Sequence, residues 1–464
     1  MKNDTLIVSY AIIGILILLI GNLFTLTDTW WSILYILFAL LSSSAIWIAR
    51  KKTLSIFFFF ILSYHLFIGG RFFAHALNPS LDVFSSTVWY EYELKDADKI
   101  FLMNYILGFL FFCVLGFLIY NRKERKVRFE PRLSVITKEK INSLLNIFFY
   151  ILVPYILVTS VQGLLLVMSR GYGTNLLFET DYEVNFVQKF ANLLLIAFTG
   201  MAMAWGDKKL IKRYFILYII KGIFNILCGS RGMLGAVIFM SLWAYSFYRP
   251  INFKKLFLYS GVAVVAMLLL FSVSVRGRAE ELESLSLWES FTAFIYTNGI
   301  SLMVFDASTK VTGYPALPYF QTLIVGANFI YTLFTGVHLD AQDVTFQGYL
   351  CNELNSGLFN QGLGLGWTTN GDLYLFSGRI FVVYCILSML LGCIFCIIDQ
   401  WSRKSKFFLY FAASMAPALF LMARGSLSAL FPQIFYSYLF FFLVKWLART
   451  LYPNRKMNTH EIIN

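Results

Sequence analysis

Seven arginines, Arg71, Arg170, Arg231, Arg276, Arg278, Arg379 and Arg424, stand at ends of apolar runs that a charge-based topology turns away from the cytoplasm. Lysine and arginine normally gather in cytoplasmic loops. A cation placed against that bias, at the edge of the membrane, reads as a functional site. A guanidinium stays charged at physiological pH and presents a planar fork that fits phosphate oxygens. Several together can hold a pyrophosphate and stabilise it as it leaves. The chemistry they suggest is the handling of an anionic, lipid-linked ligand on the outer face.

Four of these sites pair arginine with glycine: Gly229-Ser230-Arg231-Gly232, Arg276-Gly277-Arg278, Arg424-Gly425-Ser426 and Arg170-Gly171-Tyr172-Gly173. Glycine lets a substrate approach the backbone. The plainer alternative is a side chain that snorkels to headgroups or pairs with a carboxylate. That reading serves Arg71 and Arg379 equally well, whereas the repeated arginine–glycine turns favour binding. The outer loops also carry groups that sugars bind. Residues 170–186 contain Tyr172, Glu179, Asp181, Tyr182 and Glu183. Residues 338–372 contain His338, Asp340, Asp343, Tyr349, Glu353, Trp367 and Asp372. His338, with Asp340 two residues on, is placed to take a proton from a hydroxyl. A solvated loop would favour the same residue types.

Other chemistries find no support. No phosphate-binding Walker loop, HExxH or clustered metal-ligand spacing occurs, so neither a metal nor a cofactor is expected. Gly362-x-Gly364-x-Gly366 lacks the preceding strand of a dinucleotide site. Cys393 and Cys396 have CxxC spacing but lie inside an apolar run, as one turn of small side chains would.

The elements that must position these residues are apolar helices. Of 464 residues, 59% are hydrophobic and 14% charged, and the mean hydropathy is +0.69. Apolar runs of about 18–24 residues recur throughout, each able to cross a bilayer. The chain reads as one all-α polytopic integral membrane domain. The first run, Leu6 to about Phe24, is expected to be a retained helix. The net charge of +13 sits largely in short loops separated by whole helices. It therefore reads as topology and attraction to lipid headgroups, not as nucleic-acid binding.

With basic loops inside, spanning helices are expected at about 5–25, 29–49, 53–74, 99–120, 141–168, 187–206, 211–228, 233–249, 255–275, 373–399, 407–423 and 427–447. That makes 12, or 14 if weaker apolar segments at about 287–305 and 318–337 also cross. Residues 77–98 and 170–186 form outer loops, 121–140 a basic inner loop, and 276–370 a large outer region with membrane-associated helices. No internal repeat is evident.

The segment Gly364-Leu365-Gly366-Trp367-Thr368-Thr369-Asn370-Gly371-Asp372-Leu373-Tyr374-Leu375-Phe376-Ser377-Gly378 resembles the bacterial O-antigen polymerase (oligosaccharide repeat-unit polymerase) family. The family pattern there has an acidic residue, Tyr, Phe and Gly at alternate positions. The turn at Arg231, the Arg276-Gly277-Arg278 run, the helix count and the large late outer loop are also similar. Family members more often carry Glu where this chain has Asp372, and an aspartate there also suits a helix N-terminus.

The resemblance implies a GT-C-like lipid-linked-sugar transferase in the bacterial inner membrane, with its active site facing the periplasm. Donor and acceptor would be undecaprenyl-pyrophosphate-linked oligosaccharides, joined with inversion and without a metal. Arg231 and Arg278, supported by Arg276, Arg170 and Arg424, would bind the pyrophosphate. His338, Asp340 and Asp372 would be candidate bases. Tyr172, Glu179, Trp367 and Tyr374 would meet sugar. A chain-length regulator is a possible partner, besides membrane lipids. The competing readings are an O-antigen ligase, which would share the donor, and a flippase, which would need arginines through the membrane centre. Lys221 is the main charge at mid-helix depth.

Overall fold

The computed structural model describes residues 2–50, 53–86, 89–122, 135–170, 186–228, 232–248, 261, 286–324, 326–337 and 339–451. The expected helix at about 255–275 and its Arg276–Arg278 end lie outside them. Helices α1 (Lys2–Leu23), α2 (Asp28–Ala49), α3 (Ile56–Phe67), α4 (Gly70–Leu77) and α5 (Asp96–Asn121) come first. A two-residue antiparallel ladder, Ser85–Ser86 with Tyr92–Glu93, precedes α5. Then follow α6 (Val135–Arg170), α7 (Phe186–Trp205), α8 (Lys208–Leu227) and α9 (Gly232–Tyr248).

Local chemistry starts these helices where it should. Thr27 accepts from Trp30 N at the head of α2, and Asp207 from Leu210 N at 2.6 Å at the head of α8. Seven of the described helices are long and apolar enough to cross a membrane, and α3 with α4, bent by 59°, makes an eighth.

The later chain is built of short helices, and neither weaker apolar segment runs as a single span. The segment at 287–305 is α10 (Leu287–Asn298) and α11 (Ser301–Lys310). The segment at 318–337 is α12 (Leu317–Leu323) and α13 (Ala327–Thr335). The expected polar loop 338–370 contains α14 (Ala341–Val344) and α15 (Phe346–Asn360). The helix expected at 373–399 is two, α16 (Thr369–Phe376) and α17 (Phe381–Ser402). Last come α18 (Lys406–Leu421), 3-10 turns at Met422–Arg424 and Leu427–Ala429, and α19 (Phe431–Leu451). The four helices α10 to α13 have 7 to 12 residues each. At about 1.5 Å per residue each is too short to cross alone.

The core is centred on α5 and α17. A Cβ on Gly392 would collide with the Cys113 carbonyl, and one on Gly116 with that of Met389. The two backbones therefore touch, and Cys393 Sγ donates to Gly116 O at 3.4 Å. Helix α3 lies against this seam through stacked rings, Phe57 on Phe117 at 4.4 Å and Phe60 on Phe395 at 4.6 Å.

Two ends follow from this packing. At one end Asp399 accepts from Ile56 N at 2.8 Å and Phe57 N at 3.3 Å, which caps α3. Arg403 donates to Leu54 O at 2.7 Å, and Arg50 to Asn121 Oδ1 at 3.2 Å. This gathers the basic termini of α2, α5 and α17. Tracing α3, α17 and α18 from there carries the chain to Arg71, Arg379 and Arg424 at the opposite end.

The seam yields a test. Gly392→Ala should lower the stability of the detergent-solubilised protein by about 1–3 kcal/mol through overpacking, read as a fall in melting temperature. Leu390→Ala, at a position 52% exposed two residues away, should leave it nearly unchanged. Equal effects at the two sites would contradict the close backbone contact.

Candidate functional site

The opposite end is organised by α16. Thr368 opens this helix, its side chain accepting from Gly371 N at 3.0 Å. Every residue from Thr369 to Leu375 is buried. At eight residues it is a half-helix, seated inside the protein where its unpaired ends can be satisfied. It ends in a Schellman motif: Gly378 N donates to Leu375 O at 3.0 Å and Arg379 N to Tyr374 O at 3.0 Å. Gly378, at φ +63°, supplies the left-handed residue this closure needs. Arg379 follows at φ +67°, a conformation uncommon for a side-chain-bearing residue. Its guanidinium is held by Val311 O at 2.9 Å and lies over the Tyr374 ring at 5.8 Å.

Asp372 ties this half-helix to its surroundings. Its carboxylate is fully buried. Oδ1 accepts from Trp367 Nε1 at 2.6 Å. Oδ2 accepts from Ser426 Oγ at 2.8 Å and from Leu427 N. Nearby, Thr369 Oγ1 donates to Met422 O, and Asn370 Nδ2 donates to Tyr64 OH at 2.8 Å. The 364–367 turn, α16, α3 and the 422–427 turn are thereby locked together. Arg424 rides on the last of these. It is exposed, with its guanidinium over the Phe67 ring at 5.8 Å. Its Nε lies 3.9 Å from where a Cβ on Gly366 would sit. An exposed cation is thus carried on a turn whose backbone is tied to α16.

Burial pushes the Asp372 carboxyl up from 3.8 to about 6, against the lowering effect of Leu427 N, Ser426 and Trp367. The folded protein therefore binds this proton more tightly than the unfolded chain does.

The aromatic groups form the frame behind Arg424. Trp367 stacks on Phe346 at 5.7 Å and meets Tyr314 edge-on at 6.1 Å. Phe376 meets Tyr319 at 5.4 Å. Trp367 and Tyr374, read from sequence as sugar-facing, are 4% and 5% exposed, so their rings lie chiefly within protein. Asp340 is exposed at the head of α14 and makes no side-chain cap. Arg71 is buried, donating to Val83 O at 3.1 Å and Ser85 O at 3.0 Å, and covers Tyr296 at 4.7 Å. It fastens the short ladder to α4 and α10.

Of the expected site residues, the fold therefore brings together Trp367, Asp372, Tyr374 and Arg424. Arg231, Arg276, Arg278, Tyr172, Glu179 and His338 lie outside the described residues, as does the side chain of Arg170 at the end of α6. Among the described residues no three His, Cys, Asp or Glu side chains group as metal ligands would.

Sequence reasoning missed Ser426, Asn370 and Tyr64. It also missed Asp306, which is 1% exposed and paired with Lys310 at 2.8 Å. A signal for α16 was present: Thr368 as an N-cap and Gly378 as a C-cap delimit a short helix.

The fold and this end define a multi-pass membrane protein whose broken helices meet beneath an exposed arginine turn. The model of the O-antigen polysaccharide polymerase Wzy family matches residues 5–456, and the chain belongs to that family. It is an O-antigen polymerase, a glycosyltransferase that acts on lipid-linked oligosaccharide repeat units. No curated protein and no solved structure matches the chain.

Asp372→Asn should loosen this end, because an amide offers donors where three donors already converge. The expected cost is about 1–3 kcal/mol, with loss of polymerisation. The pH dependence has a definite sign. Asp372 ionises in the unfolded chain near 3.8 and in the fold near 6. Its contribution to stability thus falls as pH rises through that window and is constant above it. The stability of the unsubstituted protein relative to Asp372→Asn, measured by thermal unfolding, should decline between pH 4 and 6 and then level. A flat difference would show that the carboxyl is not held as described.

Proposed function

We propose that the arginine-bearing end faces the periplasm of a bacterial inner membrane. There the chain transfers a growing polysaccharide from undecaprenyl pyrophosphate to a second lipid-linked repeat unit. The observation that carries this reading is Arg424. It is exposed on a turn that Asp372 and α16 hold in place, opposite the end where Arg50 and Arg403 bond to Asn121 and Leu54. Segregation of this kind favours chemistry at one face over passage through the membrane.

In the proposed step an acceptor hydroxyl attacks the anomeric carbon of the donor. The bond from that carbon to the pyrophosphate oxygen breaks, undecaprenyl pyrophosphate leaves and configuration inverts. The hydroxyl proton passes to a base, for which His338 and Asp340 are the candidates. Arg424, together with Arg231, Arg276, Arg278 and Arg170, neutralises the leaving diphosphate. Guanidinium groups take the counter-charge role that a metal ion fills elsewhere, so no metal is required. Asp372 acts as a positioning residue: its acceptor capacity is committed to Trp367, Ser426 and Leu427. Trp367 and Tyr374 support the sugar-facing surface, to which Tyr172 and Glu179 of the 170–186 loop contribute. A chain-length regulator protein is a proposed partner.

The test uses purified protein with a synthetic undecaprenyl-pyrophosphate repeat unit and gel analysis of products. Arg424→Ala and Arg231→Ala should each slow chain extension about a hundredfold or more, the scale of losing one transition-state donor. Arg424→Lys and Arg278→Lys should also be impaired, since an ammonium lacks the fork. Extension should survive EDTA. Full activity of the alanine variants would refute the assignment. Periplasmic labelling of Ser230→Cys in cells checks the side, and labelling from the cytoplasm would reverse it.

A further inference from the structure

Helices α12 and α13 are not used by the mechanism, and they have an unusual surface. No Asp, Glu, Lys or Arg occurs between Lys310 and Asp340. Helix α12 buries Pro318 and Thr322, and its Tyr319 packs on Phe346 at 4.7 Å and Phe376 at 5.4 Å. Helix α13 buries nothing. Phe329 is 68% exposed, Leu333 69% and Phe334 83%, and Phe320, Ile324 and Ile330 are exposed as well. The two helices are tied at their turn, where Asn328 N donates to Gln321 Oε1 at 3.0 Å. Left-handed glycines, Gly326 and Gly336, start and stop α13.

We propose that α12 and α13 form a re-entrant hairpin inserted in the bilayer leaflet on the Arg379 and Arg424 side, with lipid acyl chains covering α13. Three observations select lipid over another occupant. Phe329, Ile330, Leu333 and Phe334 make one continuous exposed apolar face on α13, opposite the part-buried Asn328 and Thr332, and no charged residue lies near it in the chain. The hairpin belongs to a multi-pass chain with seven apolar spans among its described residues, so acyl chains are available to cover it. Nine residues extend about 14 Å, less than half of a hydrocarbon core of about 30 Å, which permits entry into one leaflet but not crossing. The turn that would otherwise expose backbone is closed by the Gln321–Asn328 bond, as non-helical backbone at membrane depth requires. The anchor is Tyr319, whose ring packs on Phe376 three residues before Arg379. The hairpin is therefore fixed to the framework that presents the cations. The inference stands on exposure, length and charge, and is independent of the reaction assigned above.

Spin labels on Phe329→Cys, Leu333→Cys and Phe334→Cys in phosphatidylethanolamine–phosphatidylglycerol nanodiscs provide the test. Leu16→Cys on α1 serves as the lipid control, and Gln361→Cys, at an exposed loop position, as the water control. The unsubstituted protein sets the background from native cysteines. The ratio of molecular-oxygen to nickel-chelate collision rates on α13 should match Leu16 and exceed Gln361 several-fold. Nickel accessibility equal to that at Gln361 would overturn the proposal. So would exclusion of both agents with dipolar broadening, which reports a second copy of the chain. If the variants fold poorly, an apolar photoactivated carbene reagent in the same nanodiscs should label 317–337 of the unsubstituted protein, and no label there would also overturn it.

Discussion

One buried carboxylate sets the geometry of the arginine-bearing end. Asp372 accepts hydrogen bonds from an indole, a hydroxyl and a backbone amide belonging to two other segments. Each donor on its own is a modest contribution, but removing the common acceptor would leave three buried donors unsatisfied together. The turn bearing Arg424 and the turn bearing Trp367 therefore have one arrangement relative to α16. An aspartate suits this position because its short side chain keeps both oxygens close to the helix backbone, among donors from the 364–367 and 422–427 turns.

The breaks in the helices follow from the same demand. A continuous span satisfies its own backbone and offers no amide or carbonyl to a partner. At α16 the chain gives up a span so that a polar, capped eight-residue helix can sit inside the protein. The 59° bend between α3 and α4 serves a similar end. It brings Phe67 under Arg424 and lets Arg71 reach the carbonyls of Val83 and Ser85. The unbroken α5–α17 seam gives these interruptions a rigid base, since backbones in contact leave no room to slide.

The three described arginines at this end differ in exposure. Arg71 spends its fork on loop carbonyls, and Arg379 on Val311 O and the face of Tyr374. Arg424 is the exposed one. Sequence patterning singled out the arginine–glycine turns for binding and left Arg71 and Arg379 open between binding and a structural role. Arg71 and Arg379 fasten the scaffold, and the exposure of Arg424 underlies the role proposed for it.

What sequence determined was class and the placement of most spanning helices. Apolar runs of spanning length placed α1, α2 and α5 to α9 within a few residues at most ends, because hydrophobic thickness is a local property. The acidic-Tyr-Phe-Gly spacing pointed to the family, and each member has a physical place: Asp372 as hub, Tyr374 under Arg379, Phe376 against Tyr319, Gly378 in the helix stop. The split between α16 and α17 could have been read from Thr368 and Gly378, but hydropathy across the break hid it. Only the tertiary structure decided that Ser426 and Leu427 converge on Asp372 from more than fifty residues away. It alone turned Trp367 and Tyr374 inward and left the apolar face of α13 uncovered. Those outcomes depend on which surfaces other segments cover, and a residue's own neighbours in the chain carry no record of that.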